Sequence, residues 1–221
     1  MIDMSNVAAT HKLNEAAQRL QARELFQTGA SLSQRLTGPG NGQIAILQVD
    51  ADRVCSVSLF DIHSTVADGL VRQHLAVYRA RNDVGAVLLN RQPWALAIKE
   101  LGAGMPGIFD EQIRHLGTNV SVLNDPHMTD QNVIRLRNGE NAFILNRQVL
   151  CLGMTLDRAV FNAELLEKCA KAFVLASGTG KPAGKIPWLV RYIANGRLLK
   201  DERYAASQYA LGQIPVFKSA Y

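Results

Sequence analysis

Ser31, Ser33 and Arg35 stand at alternate positions just after Gly29, and hydroxyls beside a guanidinium and a glycine can hold a phosphate or carboxylate. The same residue types make an ordinary polar turn, and both readings stay open. His74 falls on one helical face with Leu75 and Tyr78. A histidine satisfied inside the protein accounts for that spacing; a general base or substrate contact is the sharper alternative. His11, His63, His115 and His127 lie far apart and show no metal-ligand spacing. Cys55, Cys151 and Cys169 form an odd set without a CxxC pair, which suits free thiols in a reducing compartment. GxSxG is absent, and no Ser/His/Asp or Cys/His pattern has local support. The SGTGK run at 177–181 lacks the GxxxxGK[ST] spacing and follows a helix, so it reads as a connector.

The elements that must position these residues follow from apolar periodicity. Leu13 through Phe26 repeats at helical spacing, with Gly29 as its stop and 30–35 as a small-polar loop. Two strands, Gln43–Val49 and Val54–Phe60, are joined by an Asp-Ala-Asp turn. A helix over Val71–Arg81 precedes the apolar run Val84–Leu89, which reads as a strand covered on both faces. Pro93 opens a short helix to Leu101, and Asp110–Leu116 is another. Strands follow at Val120–Leu123, Ala142–Leu145 and Gln148–Leu152, with a helix capped by Thr129 between the first two. Thr155–Ala176 has the strongest helical pattern, and two amphipathic segments, Trp188–Ile193 and Leu198–Leu211, complete the chain. Strands alternating with helices predict a layered α/β domain.

Composition excludes several classes. At 221 residues and 48% apolar content the chain can bury a large core without disulfides or a structural metal. No apolar run approaches the roughly 20 residues of a membrane helix, and the start lacks the apolar block of a secretory signal. A net charge of +5, scattered without runs, argues against nucleic acid as a partner and leaves small anions as the expected one. A soluble, cytoplasmic protein without membrane attachment is expected.

The order of segments resembles the class II aldolase/adducin family between about Leu13 and Ala176. LFQTGASLSQRL is similar to the family's glycine-loop start, and HLAVYRARNDVGAVLL to its H-x-x-[IV]-Y-x-x-R-x-D-V-x-A-V segment. FILNRQVLCLGMTLDRAV resembles LxNHGxxxxGxTLxEA, and FNAELLEKCAKAF the long helix after it. The resemblance implies a three-layer α/β/α fold with a central mixed, largely antiparallel sheet. It implies a single domain over 1–221, with its core at about 13–176 and a helical extension at 177–221.

In the family's enzymes the strand after DVxAV ends in His-x-His-Pro, two of whose imidazoles bind zinc. The matching residues here are Asn90-Arg91-Gln92-Pro93, and Arg147 stands at the place of the third histidine. Leu70 takes the position of the family's acid/base glutamate, four residues before His74. Zinc requires three or four deprotonated donors at about 2.0–2.3 Å; amides are weak donors and a guanidinium is none. The expectation is therefore no metal and no cofactor. Arg147, with Asn90 and Gln92, would form a cationic catalytic pocket, and Ser31, Ser33, Arg35, Arg91 and His74 would bind substrate.

Two functions compete on this reading. One is a metal-independent lyase-type enzyme (aldol chemistry, decarboxylation, dehydration or cyclisation) acting on a small carboxylate- or phosphate-bearing substrate. An arginine's oriented N–H donors stabilise a developing enolate in the metal's stead. The other is a non-catalytic binding or assembly protein, a pseudo-aldolase like the adducin head. The resemblance also implies a homo-oligomer, a tetramer with sites at subunit boundaries.

Overall fold

A computed structural model describes residues 4–50, 55–65, 69–102, 104–123, 133, 135–180, 184 and 186–217. Its eight strands form one sheet: β1 Ser31–Arg35, β2 Gln43–Val49, β3 Cys55–Asp61, β4 Ala86–Asn90, β5 Met105–Pro106, β6 Asn119–Val122, β7 Ala142–Ile144 and β8 Val149–Gly153. The spatial order is β3-β2-β1-β4-β8-β7-β6-β5, and every pair is antiparallel except the parallel β6–β7. The helices are α1 Met4–Gln21, α2 Gly69–Ala80, α3 Pro93–Glu100, α4 Asp110–His115, α5 Leu156–Ser177 and α6 Trp188–Ala210.

Strand periodicity sends alternate side chains to opposite faces, and both faces are covered. Leu32, Leu47, Leu88, Ile144 and Cys151 pack beneath α1, α3 and α5. Ile46, Val87, Leu89, Phe143 and Leu150 pack against Val71, Leu75 and Tyr78 of α2. These two cores make the three-layer α/β/α arrangement, and they explain why β4 and β8 read as unbroken apolar runs.

Three sequence expectations are corrected. The 30–35 stretch is not a loop: Ser31–Arg35 is a strand between β2 and β4. Its serines obscured the pattern, yet both are fully buried and hydrogen-bonded by α2 side chains. Gly29 does not stop α1. The helix ends at Gln21, where Leu25 N–H reaches back to Leu20 C=O and Glu24 adopts φ 60°, the left-handed residue of a Schellman-type terminus. The two C-terminal segments are one helix, α6. The Asp-Ala-Asp turn and the Thr129 helix fall largely outside the described residues. Asn138-Gly139 forms a turn, with Gly139 at φ 84°.

The tail is bound to the body by charge as well as by the Met154, Leu198, Ala205 and Tyr209 cluster. Arg81, 2% exposed, pairs with Asp83 at 2.7 Å and with Glu202 of α6 at 3.1 Å. Glu202 also accepts the Gly139 N–H at 2.8 Å. A buried charge needs this degree of pairing to be tolerated. Among the described residues no helix is long and apolar enough to cross a membrane.

Candidate functional site

Pro93 fixes the backbone at the first turn of α3, so β4 must end a few residues earlier. Gln92 is the N-cap but makes no side-chain cap. The Glu167 carboxylate of α5 takes that role, accepting Trp94 N–H at 3.0 Å and Ala95 N–H at 3.1 Å. Burial raises the Glu167 pKa, opposed by those two N–H donors. The Gln92 side chain is thereby released to turn inward.

Asn90 and Gln92 are both buried, at 1% and 0% exposure. Asn90 Nδ2 donates to Leu25 C=O at 2.8 Å, and Gln92 Nε2 donates to Asn90 Oδ1 at 3.3 Å. Gln92 Nε2 also faces Cys151 Sγ at 3.7 Å, while Gln92 Oε1 has no hydrogen-bond partner. The Cys151 thiol, wholly buried, is pushed up to about 12 and stays protonated at neutral pH. These groups do not fit a zinc ion: two amides already bonded to one another and a neutral thiol are not deprotonated ligands. Among the described residues no group of three His, Cys, Asp or Glu side chains could hold a metal ion.

Arg147 lies on the same end of the sheet but not in its interior. The β4–β8 register sets Val149 opposite Asn90, and a tight turn, Leu145 N–H to Gln148 C=O at 2.8 Å, carries Arg147 into solvent. A hairpin tip has no second layer to cover a long side chain. The expectation of Arg147 enclosed with the two amides is therefore corrected: Asn90 and Gln92 touch, and Arg147 stands exposed at their rim. Arg91 is exposed too. The turn is anchored by Lys99 Nζ on Asn146 Oδ1 at 2.5 Å and by Gln148 Nε2 on Gly29 C=O at 3.3 Å.

The remaining expected substrate contacts are elsewhere. Ser31, Ser33 and His74, each 0% exposed, sit on the α2 side of the sheet, opposite Asn90. His74 Nε2 and Nδ1 meet Ser31 Oγ at 2.8 Å and Ser33 Oγ at 2.7 Å, and Ser33 Oγ meets the Tyr78 hydroxyl at 2.9 Å. A neutral imidazole gives to one hydroxyl and accepts from the other, so this is a satisfied core network with no route for substrate. Arg35 is at the far end of β1. It donates to Val84 C=O at 3.0 Å and lies between the Tyr78 and Tyr209 rings, 5.3 and 5.1 Å from their centroids. The structure thus holds Ser31, Ser33 and His74 in the core and Arg35 at the far end of β1, away from the Asn90 end. Leu70 occupies the first turn of α2.

A cleft of about 350 Å³ adjoins the Asn90 end, lined by Arg23, Leu25, Trp94, Glu167 and Lys171 among others. Lys171 Nζ lies 5.6 Å from the Trp94 ring centroid. Sequence reasoning missed Glu167, although Glu164 and Glu167 are carboxylates three apart on a mostly apolar helix, which is a readable signal.

The model of the "Class II Aldolase and Adducin N-terminal domain" matches residues 17–174. No relative was found among curated protein sequences. A solved L-fuculose 1-phosphate aldolase superposes with TM-score 0.73 at 20% identity, covering 86% of this chain and 95% of its own. The L-fuculose 1-phosphate aldolase of Glaciozyma antarctica gives 0.67 at 20%, covering 95% and 90%. The l-fuculose-1-phosphate aldolase of Thermus thermophilus gives 0.63 at 16%, covering 79% and 97%. At these identities the structures share the fold.

Proposed function

We propose, from the premise that this chain belongs to the class II aldolase/adducin family, that it is a lyase-type enzyme acting without a divalent ion on a small carboxylate- or phosphate-bearing substrate. The observation that carries this reading is the contrast at the Asn90 end. A wholly buried amide pair with one unpartnered acceptor, Gln92 Oε1, sits behind two exposed guanidiniums, Arg91 and Arg147, which have no partner among the described residues. The similar solved aldolases act, by name, on a sugar phosphate, and two cations at a rim suit such an anion. Arg147 and Arg91 bind the anionic group. When a carbon–carbon bond breaks, the electron pair left on the fragment becomes an enolate, which an arginine N–H stabilises by hydrogen bonding. In aldol cleavage solvent takes the proton of the hydroxyl that becomes the carbonyl, in decarboxylation CO2 departs, and in both solvent protonates the enolate carbon. Asn90 and Gln92, themselves buried, hold the β4–α3 turn that presents Arg91.

The experiment uses protein dialysed against a chelator, with L-fuculose 1-phosphate and oxaloacetate as trial substrates for carbon–carbon cleavage. Chelator-resistant turnover is expected, reduced roughly 100-fold or more by Arg147→Met with folding intact. Stoichiometric zinc in the purified protein, with turnover lost on chelation, overturns the reading.

The exposure of Arg147 in a single chain agrees with a homo-oligomer whose neighbouring copy closes the site. At the start of α6, Trp188 and Tyr192 are 75% and 73% exposed, and patches of this kind mark interfaces. Light scattering should show a homo-oligomer, converted to monomer by Trp188→Asp with Tyr192→Asp. The non-catalytic assembly alternative has no observation of its own beyond this surface, which an oligomeric enzyme explains equally.

A further inference from the structure

A second and larger cleft, about 1010 Å³, opens at the opposite end of the sheet, between α1, the start of α5 and the 214–217 segment. β4 separates the two ends by roughly 13 Å, four steps of about 3.3 Å. The cleft is lined by Gln34 of β1 at the Ala86 end of the β1–β4 pair, so it is distinct from the Asn90 end. We propose that it binds a small organic carboxylate with an apolar body and a hydroxyl next to the carboxylate.

Four observations define that ligand. The volume is at the upper limit of small-molecule pockets, which run to about 1,000 Å³. One side is apolar: Leu156, Val160 and Phe161 of α5 face Ile214 and Val216, the last two 41% and 79% exposed. The 22-residue helix α5 begins in the cleft at Leu156, with Asp157 in its first turn; Thr155 Oγ1 takes the Arg158 N–H, and the earlier N–H groups have no carbonyl within the helix and favour an anion. Independently, Gln34 lines the same cleft at 9% exposure, and its Oε1 has no hydrogen-bond partner. A buried carbonyl without a donor is unfavourable by about 1–3 kcal/mol. A ligand hydroxyl would supply that donor once the Gln34 amide turns toward the cleft, since its Oε1 is shielded from solvent.

The charges agree with an anion. Arg19 is held by Glu164 through two 2.8 Å hydrogen bonds and is also drawn to Asp157. Glu15 pairs with His11 at 3.4 Å. Lys12 on the rim is exposed and has no partner among the described residues. Arg158 donates to His115 Nδ1 at 2.8 Å and its guanidinium lies 5.2 Å from the Phe217 ring centroid. Lys12 is thus a lining cation that none of these acids engages. A hydrophobic wall, an unengaged cation, a helix start and one buried acceptor together select a hydroxy acid over a bare phosphate.

The test titrates the full-length protein by calorimetry with 3-phenyllactate, 3-phenylpropanoate (no hydroxyl), 3-phenyl-1,2-propanediol (no carboxylate) and inorganic phosphate. Saturable binding of 3-phenyllactate is expected, at least 10-fold tighter than of the other three. Lys12→Glu, on an exposed position, should weaken it 5-fold or more, and Val216→Asp similarly. Gln34→Leu should remove the advantage of the hydroxyl. Arg147→Met, which tests the other site, should leave it unchanged. Absence of saturable 3-phenyllactate binding at 20 mM, equal binding of all four probes, or indifference to both Lys12→Glu and Val216→Asp overturns the proposal. Since those two substitutions are at exposed residues, the outcome stands even if Gln34→Leu fails to fold.

Discussion

The two ends of the central β1–β4 pair each gather arginines and treat them in opposite ways. At the Ala86 end Arg81 is enclosed and Arg35 half-buried, and their N–H groups go to carbonyls and carboxylates: Arg81 reaches Asp83, Asn141, Glu202 and the carbonyls of Arg137 and Glu140. At the Asn90 end Arg91 and Arg147 are exposed and have no protein partner among the described residues. A guanidinium whose donors are all occupied organises structure, while one left at a rim beside buried amides is available to an anion. The first end should therefore govern stability and the second end function.

The largest effect is expected from Arg81→Met. Removing the cation leaves Asp83 and the 0%-exposed Glu202 facing one another without compensation. Breaking one partner of a buried pair costs about 3–5 kcal/mol. For a chain of this length each kcal/mol moves Tm by about 2–4 °C, so a fall on the order of 10 °C in a thermal melt is expected. A change under 2 °C would show that this end is not the fastening of α6.

A second asymmetry between the ends is its dependence on pH. His115 lies near Arg158 and Arg114, with Asp201 as its opposing charge, and packs edge-on against Phe161 at 4.9 Å. Burial first, and then the two arginines, lower its pKa from 6.5 to about 4. The unfolded chain thus binds the proton between pH 6.5 and 4 when the native one does not. Stability is complete above pH 6.5 and is lost as pH falls through that window, by about 2 kcal/mol at pH 5. Denaturant titrations at pH 7 and pH 5 measure the slope, and His115→Gln should flatten it while still offering Arg158 an acceptor.

Most of the fold was legible because burial on both faces leaves a strong signature. The runs in β4 and β8, Pro93 at the start of α3 and Thr155 as the cap of α5 each reflect a local physical requirement visible in sequence. β1 was hidden because Ser31 and Ser33 are polar yet buried, and the described groups that satisfy them, His74 and Tyr78, are more than 40 residues away. The site was legible only in part for the same reason. The resemblance to the family identified Asn90 and Gln92 as a pair, but whether Arg147 turns inward depends on the tightness of the 145–148 turn. The sequence reading placed the enclosed arginine at 147, whereas the enclosed one is Arg81, with Arg35 half-buried. That distinction is set by tertiary partners such as Glu202, 121 positions from Arg81.

Glu167 joins the two kinds of behaviour, because it caps α3 and lines the cleft at the Asn90 end. Glu167→Ala removes the acceptor of the Trp94 and Ala95 N–H groups, and the loss of a helix cap costs about 1–2 kcal/mol. The Gln92 side chain should then compete for the cap position. Hydrogen exchange at Trp94 and Ala95 should accelerate with only a modest change in global unfolding. Protection unchanged at both amides would mean that Gln92 is held inward by something other than this carboxylate.

The smallest expected effect on stability is the sharpest test of the comparison. Arg147 is exposed, on a hairpin turn closed by the Leu145–Gln148 backbone hydrogen bond and anchored by Asn146 and Gln148 rather than by its own side chain. Arg147→Met should therefore shift the unfolding free energy by less than about 0.5 kcal/mol, as exposed substitutions commonly do. The same substitution at Arg81 should cost several times more, although both remove one guanidinium. Measured side by side in denaturant, with substrate turnover followed in the same preparations, the pair separates the two roles. Arg147→Met should keep its stability and lose activity, and Arg81→Met should lose stability first. If Arg147→Met instead unfolds the chain, its guanidinium is held by the body or by a neighbouring copy, and the division between a structural end and a reactive end fails at its reactive half.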